Sequence, residues 1–182
     1  SRKKIIISTG MSTLSDIKQA IKILNRNFKK KIILMHCISS YPAEKKTLNL
    51  KLIKKLKNYF KYEVGYSDHS LGDEACLAAV AMGARVIEKH VTLSKKLKGP
   101  DHKASIEIKE FNNMVKKIRE LETMMGNEKK KVLKSELNTQ KVARKSIVTR
   151  QNSKKGKIII KSDLVFKRPG TGISPLSLNK II

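Results

Sequence analysis

At 182 residues, 40% of them hydrophobic, the chain is long enough for one ordinary domain and a small appendage, and with 4% aromatics and no Trp its core must be aliphatic. A formal charge of +26, from 41 Lys and Arg against 15 Asp and Glu, would suit a nucleic-acid binder. The lysines, however, are dispersed over helix-like faces such as "IKKLKNYFKY" and "MVKKIRELE", which marks a solvated surface, and few aromatics remain to stack on single-stranded bases.

The elements then follow in chain order. "KIIIS" reads as a strand and leads through "TGMST" into "LSDIKQAIKILN", where Leu14, Ile17, Ala20, Ile21 and Leu24 recur at helical spacing behind an N-cap at Ser12 or Thr13. "KIILMHC" leads into "LNLKLIKKLKNYF", and "YEVGYSDH" into "DEACLAAVAMG". "RVIEKHVT" leads through a polar loop into "IEIKEFNNMVKKIRELETMMG", with Phe111, Val115, Ile118, Leu121 and Met125 expected on one stripe and Gly126 as the stop. Apolar strands alternating with helices imply a parallel sheet covered by helices, so the fold class is α/β. Four such units are either half of a (β/α)8 barrel, which takes about 250 residues, or a small open sheet. Residues 127–143 are polar and basic and read as a linker. Residues 144–182 change grammar: "RKSIVT", "GKIII" and "LVFKRPGTGIS" are short β-like runs of a separate small module. No apolar run approaches the ~20 residues of a membrane span. Cys37 and Cys76 have no CxxC partner and sit in apolar surroundings, as buried thiols of a reducing cytoplasm would.

In parallel α/β sheets and barrels, ligands bind at the C-terminal strand ends. Here those ends carry Ser8, then Ser39 and Tyr41, then Ser67, Asp68 and His69, then Glu88, Lys89 and His90. His69 and His90 close neighbouring strands, which run about 4.8 Å apart. Two imidazoles so placed suit one divalent cation, Mn, Zn, Co or Ni by donor type, with Asp68 and Glu88 to orient the rings or to meet substrate. The alternative is a pair of hydrogen-bonded core histidines. His36 lies deeper in its strand and reads as structural, whereas His102, in "GPDHKAS", sits on a loop within reach of substrate. Three serines on one rim make an anion site, with phosphate or carboxylate as its guest.

Five stretches in order, "IIISTGMSTLSDI", "HCISSYP", "GYSDHSLG", "VIEKHVTL" and "GPDHKASIEIKEF", resemble the second half of the sialic acid synthase family, which includes legionaminic and pseudaminic acid synthases. The tail "RKSIVT…IKSDLVFKRPGTGISP" resembles the small antifreeze-like (SAF) domain of that family. The resemblance implies that residues 1–126 are the last four units of a (β/α)8 barrel and 144–182 a shortened SAF domain. It implies a metal-dependent (Mn2+ or Mg2+) condensation of phosphoenolpyruvate with an N-acylated amino sugar of the N-acetylmannosamine type, releasing phosphate. It places His69 and His90 as metal ligands and Ser8, Ser39 and Ser67 at phosphoenolpyruvate, with Ser39 where some members carry Asn. Tyr41 and Asp68 are expected near the sugar. Arg168 is expected to reach the sugar's N-acyl group in the partner's site of a homodimer. The family's lysines for phosphoenolpyruvate and its catalytic glutamate have no counterpart among these residues, so little or no activity is expected of this chain by itself. The expected location is cytoplasmic, with neither nucleic acid nor membrane as a partner.

Overall fold

In the computed structural model, which describes residues 3–28 and 31–182, the first unit is built on four strands: β1 (Ile5–Ser8), β2 (Ile32–Cys37), β3 (Glu63–Asp68) and β4 (Ile87–Lys89). They form one sheet in the order β1-β2-β3-β4, every neighbouring pair parallel. The helices between them are α1 (Leu14–Phe28), α2 (Lys51–Phe60) and α3 (Glu74–Ala81). Past β4, a two-residue β5 (Val91–Thr92) pairs in parallel with β6 (Ile106–Glu107), which runs directly into α4 (Ile108–Met125).

Local chemistry accounts for the helix boundaries. Thr13 starts α1: its N–H and hydroxyl donate to Asp16 Oδ2 at 2.8 and 2.7 Å, and the Asp16 N–H returns a bond to Thr13 Oγ1 at 3.3 Å. Helix α2 ends as Lys61 turns left-handed (φ 60°) and donates its N–H to Lys57 O at 3.0 Å. Gly126, at φ 62°, ends α4, as expected.

Apolar spacing accounts for the packing. Ile17 and Ile21 of α1, Ile53 and Leu56 of α2, and Ala75 and Ala79 of α3 close over Ile32, Leu34, Val64 and Tyr66 of the sheet. Each fully buried aliphatic side chain there contributes about 1.5–3 kcal/mol. The α4 stripe differs from expectation. Met114 and Ile118 are buried with Phe111 beside them, against Cys76 and Ile106, while Met125 stays 53% exposed. The stripe that meets α3 is therefore 111–114–118, a spacing of three and four residues that fits the helical repeat as well as the expected one.

Residues 128–182 make a second compact unit. Residues 127–143, expected as a linker, contain a 3-10 turn (Lys134–Glu136) that continues into α5 (Leu137–Ala143). Glu136 supports the turn by accepting the Leu133 N–H at 2.7 Å, and Lys141 O accepts the Gly170 N–H at 2.8 Å, so the segment packs as part of its unit. "RKSIVT" and "LVFK" supply β7 (Ser146–Thr149) and β8 (Leu164–Lys167), an antiparallel pair. "GKIII" forms no strand. Asp163 accepts the Ile160 N–H at 3.1 Å and the Lys157 ammonium at 2.7 Å, and this local bonding replaces a ladder, leaving Ile158 85% exposed. Among the described residues no helix is long and apolar enough to cross a membrane.

One backbone approach constrains the sheet. A Cβ on Gly65 would lie 2.7 Å from Val86 O and collide with Met35 Sδ. Because Val86 O already accepts the Tyr66 N–H at 2.8 Å, it cannot withdraw. Gly65→Ala is expected to destabilise by about 1–3 kcal/mol, the usual range for overpacking. Urea unfolding measures it, and an unchanged midpoint would contradict the close approach.

Candidate active site

Register partners in a parallel ladder share a face, and successive residues switch faces. Ser8 pairs with Met35, Cys37 with Ser67, and Ser67 with Glu88, so Ser8, Cys37, Ser67 and Glu88 lie on the face away from the helices. Tyr66, Asp68 and Lys89 lie on the helix-covered face. His69 and His90 each follow a helix-side residue and come back to the open face.

There the two histidine rings meet edge to face, with centroids 5.3 Å apart. Tyr41, 54% exposed, lies over both, 4.2 Å from the His69 ring and 5.7 Å from that of His90. The His69 Nδ1 is 2.7 Å from Ile38 O, which can only accept, so Nδ1 carries a proton and, in the neutral ring, the lone pair is on Nε2. Ser67 Oγ is 3.4 Å from that Nε2, but its hydrogen is directed to Glu88 Oε1 at 2.6 Å. In the neutral ring the Nε2 lone pair is therefore not taken by Ser67. On His90, Nδ1 faces Asp101 Oδ2 at 4.0 Å. A histidine whose far nitrogen is held by a carbonyl or carboxylate is the usual form of a metal-binding imidazole; His69 has that form, and His90, its Nδ1 beyond hydrogen-bond distance of Asp101, supplies a second ring beside it, so the two residues fit a divalent cation. Among the described residues no group of three His, Cys, Asp or Glu converges, so further ligands of such a cation would be oxygens of water or substrate.

The other expected residues divide. Ser8 Oγ contacts Cys37 Sγ at 3.1 Å, and Ser39 is exposed with its hydroxyl packed over Gly10, whose missing Cβ leaves the room. Ser67 is buried, and its donor is committed to Glu88 rather than free for an anion. His102 Nδ1 lies 2.8 Å from Thr92 Oγ1, which ties the loop back to β5. Arg168 belongs to the second unit and is exposed just after β8. His36 is buried on the helix side with Nε2 2.8 Å from Leu48 O, and burial lowers its pKa against the upward pull of that bond.

Asp68 is a correction. Expected near the sugar, it points instead into the helix-covered interior, because it stands one residue from His69 and so on the opposite face. Its Oδ2 accepts from Lys89 Nζ at 2.7 Å and from Cys76 Sγ at 3.3 Å, and its Oδ1 from Ser70 N–H, Ser70 Oγ and Tyr66 O–H at 2.9, 2.7 and 3.1 Å. Burial pushes this carboxyl upward, but the bonds and charge of Lys89 and the Ser70 donors outweigh it and hold it below the usual carboxylate range. The neighbouring Tyr66 and Cys76 are pushed up, first by burial and then by the Asp68 charge. Lys89, grouped with Glu88 and His90 at the strand end, turns inward to Asp68 instead, and Asp101, beside the His102 that drew attention in "GPDH", escaped the sequence reading.

A model of the NeuB family matches residues 1–130. The chain belongs to the NeuB family. Among NeuB-type relatives, it is 46% identical over 182 residues to the N,N'-diacetyllegionaminic acid synthase of Campylobacter jejuni, covering 99% of this chain and 54% of that protein. It is 37% identical over 174 residues to the pseudaminic acid synthase of another C. jejuni strain, covering 96% and 50%. The crystal structure of the N-acetylneuraminic acid synthetase of Leptospira borgpetersenii superimposes with a TM-score of 0.70 at 38% identity, over 75% of this chain and 47% of that one. The chain thus spans about half the length of the relatives it matches.

Mn2+ binding, followed by calorimetry on the metal-free chain, checks the pair. His69→Ala and His90→Ala should each weaken it by more than about tenfold, since even outer partners of a metal ligand command that much. Parent-like binding in both variants would remove the assignment.

Proposed function

We propose that this chain carries the histidine-pair side of the active site of a synthase that condenses phosphoenolpyruvate with an N-acylated amino sugar and releases phosphate. The observation that carries the reading is the convergence of His69, His90 and Tyr41 on the open face of a sheet whose family includes such synthases. The higher identity to a legionaminic than to a pseudaminic acid synthase favours a sugar of the legionaminic or sialic type. In this reading the four-stranded sheet is half of a (β/α)8 barrel and the rest of the relatives' length supplies the other half. The second unit is read as the SAF domain, and Arg168 as the residue that meets the N-acyl group across a homodimer.

The chemistry assigned to these residues is mostly positioning. Mn2+ or Mg2+, when bound, supplies a Lewis acid at the sugar's aldehyde oxygen. His69 and His90 hold that site at the sheet end. The Tyr41 ring, exposed above them, offers a face to the sugar, and Asp101 accepts from sugar hydroxyls. Ser8 and Ser39 present hydroxyls to the carboxylate or phosphate of phosphoenolpyruvate, which favours the charge that gathers there. The enol carbon then bonds to the aldehyde carbon, water adds at C2 of phosphoenolpyruvate, and the C–O bond to phosphate breaks.

Fusing this chain to the N-terminal half of the C. jejuni legionaminic relative gives the test. Phosphate release from phosphoenolpyruvate should depend on an N-acylated amino sugar and on the metal, and should be absent from this chain alone. A folded, metal-binding fusion that releases no phosphate with any such sugar would overturn the reading.

A further inference from the structure

The cross-strand pair Asp68–Lys89 has a cost that packing alone does not explain. Its side chains are 0% and 1% exposed, and the ions lie 2.7 Å apart. Burying two charges is expensive, and a hydrophobic pair of similar volume is often as stable or more so. The best-attested use of a buried polar pair is to specify register. Register is also what this site needs. The β3–β4 ladder has three pairs, Tyr66 with Ile87, Ser67 with Glu88 and Asp68 with Lys89. Ile87 is the only apolar residue of β4, so hydrophobic patterning says little about how the strand aligns. A slip of one residue would turn every β4 side chain to the opposite face and carry His90 away from His69.

We propose that Asp68 and Lys89 are positioning residues whose buried ion pair sets the β3–β4 register and so brings His69 and His90 onto one face at one height. Each charged residue immediately precedes one of the histidines, so the lock on the helix side is transmitted through a single peptide unit on each strand. The network is directional. Lys89 Nζ also donates to Ser70 O, beyond His69, while Ser70 N–H and Oγ donate to Asp68 Oδ1. Lys89 thereby ties the residue ahead of His90 to the residues on both sides of His69. A lysine displaced by one position along β4 would find none of these acceptors. The inference rests on the two-histidine cation site proposed above.

The decisive comparison is the parent chain against Asp68→Asn/Lys89→Met, which removes both charges and leaves neither one buried and unpaired. Three measurements on each separate the possibilities: urea unfolding, nuclear Overhauser contacts between the His69 and His90 rings without metal, and Mn2+ affinity by calorimetry. The double variant should unfold cooperatively, lose the ring-to-ring contacts, and bind Mn2+ at least about tenfold more weakly, as when an outer support of a metal site is lost. Lys89→Arg, which keeps the charge, should retain the ring contacts. A double variant that keeps parent-like ring contacts and affinity overturns the proposal, even if its unfolding midpoint drops, because the pair would then serve stability alone. If the parent shows the ring contacts but binds no Mn2+, the cation site fails, and loss of the contacts in the double variant still supports the positioning role. Should the double variant not unfold cooperatively, Asp68→Asn/Lys89→Gln, which keeps polar partners at both positions without either charge, carries the same comparison.

Discussion

The hydrogen-bonded register of β3 with β4 is what the candidate site depends on, because it decides which side chains share a face. With Asp68 opposite Lys89, the two charged residues go to the helix side, and Ser67, Glu88 and the two histidines go to the open side. Shifted by one residue, β4 would direct Glu88 into an aliphatic core, where an unpaired carboxylate is strongly disfavoured. It would also leave Lys89 without its counter-ion. The arrangement of the site and the cost of losing it are therefore consequences of the same ladder.

The helices hold that ladder in place. Ala75 and Ala79 allow α3 to lie close against β3, and Cys76 brings its sulfur to the Asp68 carboxylate at 3.3 Å. On the opposite face there is room where Gly65 and Gly10 lack side chains, which lets Met35 and Ser39 settle against the backbone. On the far side of β4, the tie from His102 to Thr92 and the bond from Ser105 N–H to Asp101 O at 2.9 Å anchor the loop that brings Asp101 to His90. These contacts come from several elements, and together they support the positions of two rings and one carboxylate.

Much of this was legible in the sequence. The alternation of apolar strands with helices, the cap at Thr13, the stop at Gly126 and the placing of the two histidines at neighbouring strand ends follow from spacing and residue type. What was not legible depended on parity and on three-dimensional partners. Asp68 adjoins His69 in sequence, and a rule that groups all strand-end residues cannot separate them. Only the twofold alternation sends one inward and the other outward. The Lys89 bond to Asp68 required the register, which one strand read by itself does not contain. "GKIII" has the composition of a strand, yet no neighbouring strand takes it up, and the Asp163 carboxylate bonds its end into a turn instead. In α4 the expected stripe and the observed one both fit the helical repeat, and packing against α3 selects the second.

The most direct test of the central claim is a crystal of this chain soaked in Mn2+, with the ion located by its anomalous scattering. The account predicts one strong peak within bonding distance of both His69 Nε2 and the His90 ring. A peak bound elsewhere, or histidine rings that turn away from each other with no ion between them, would contradict it.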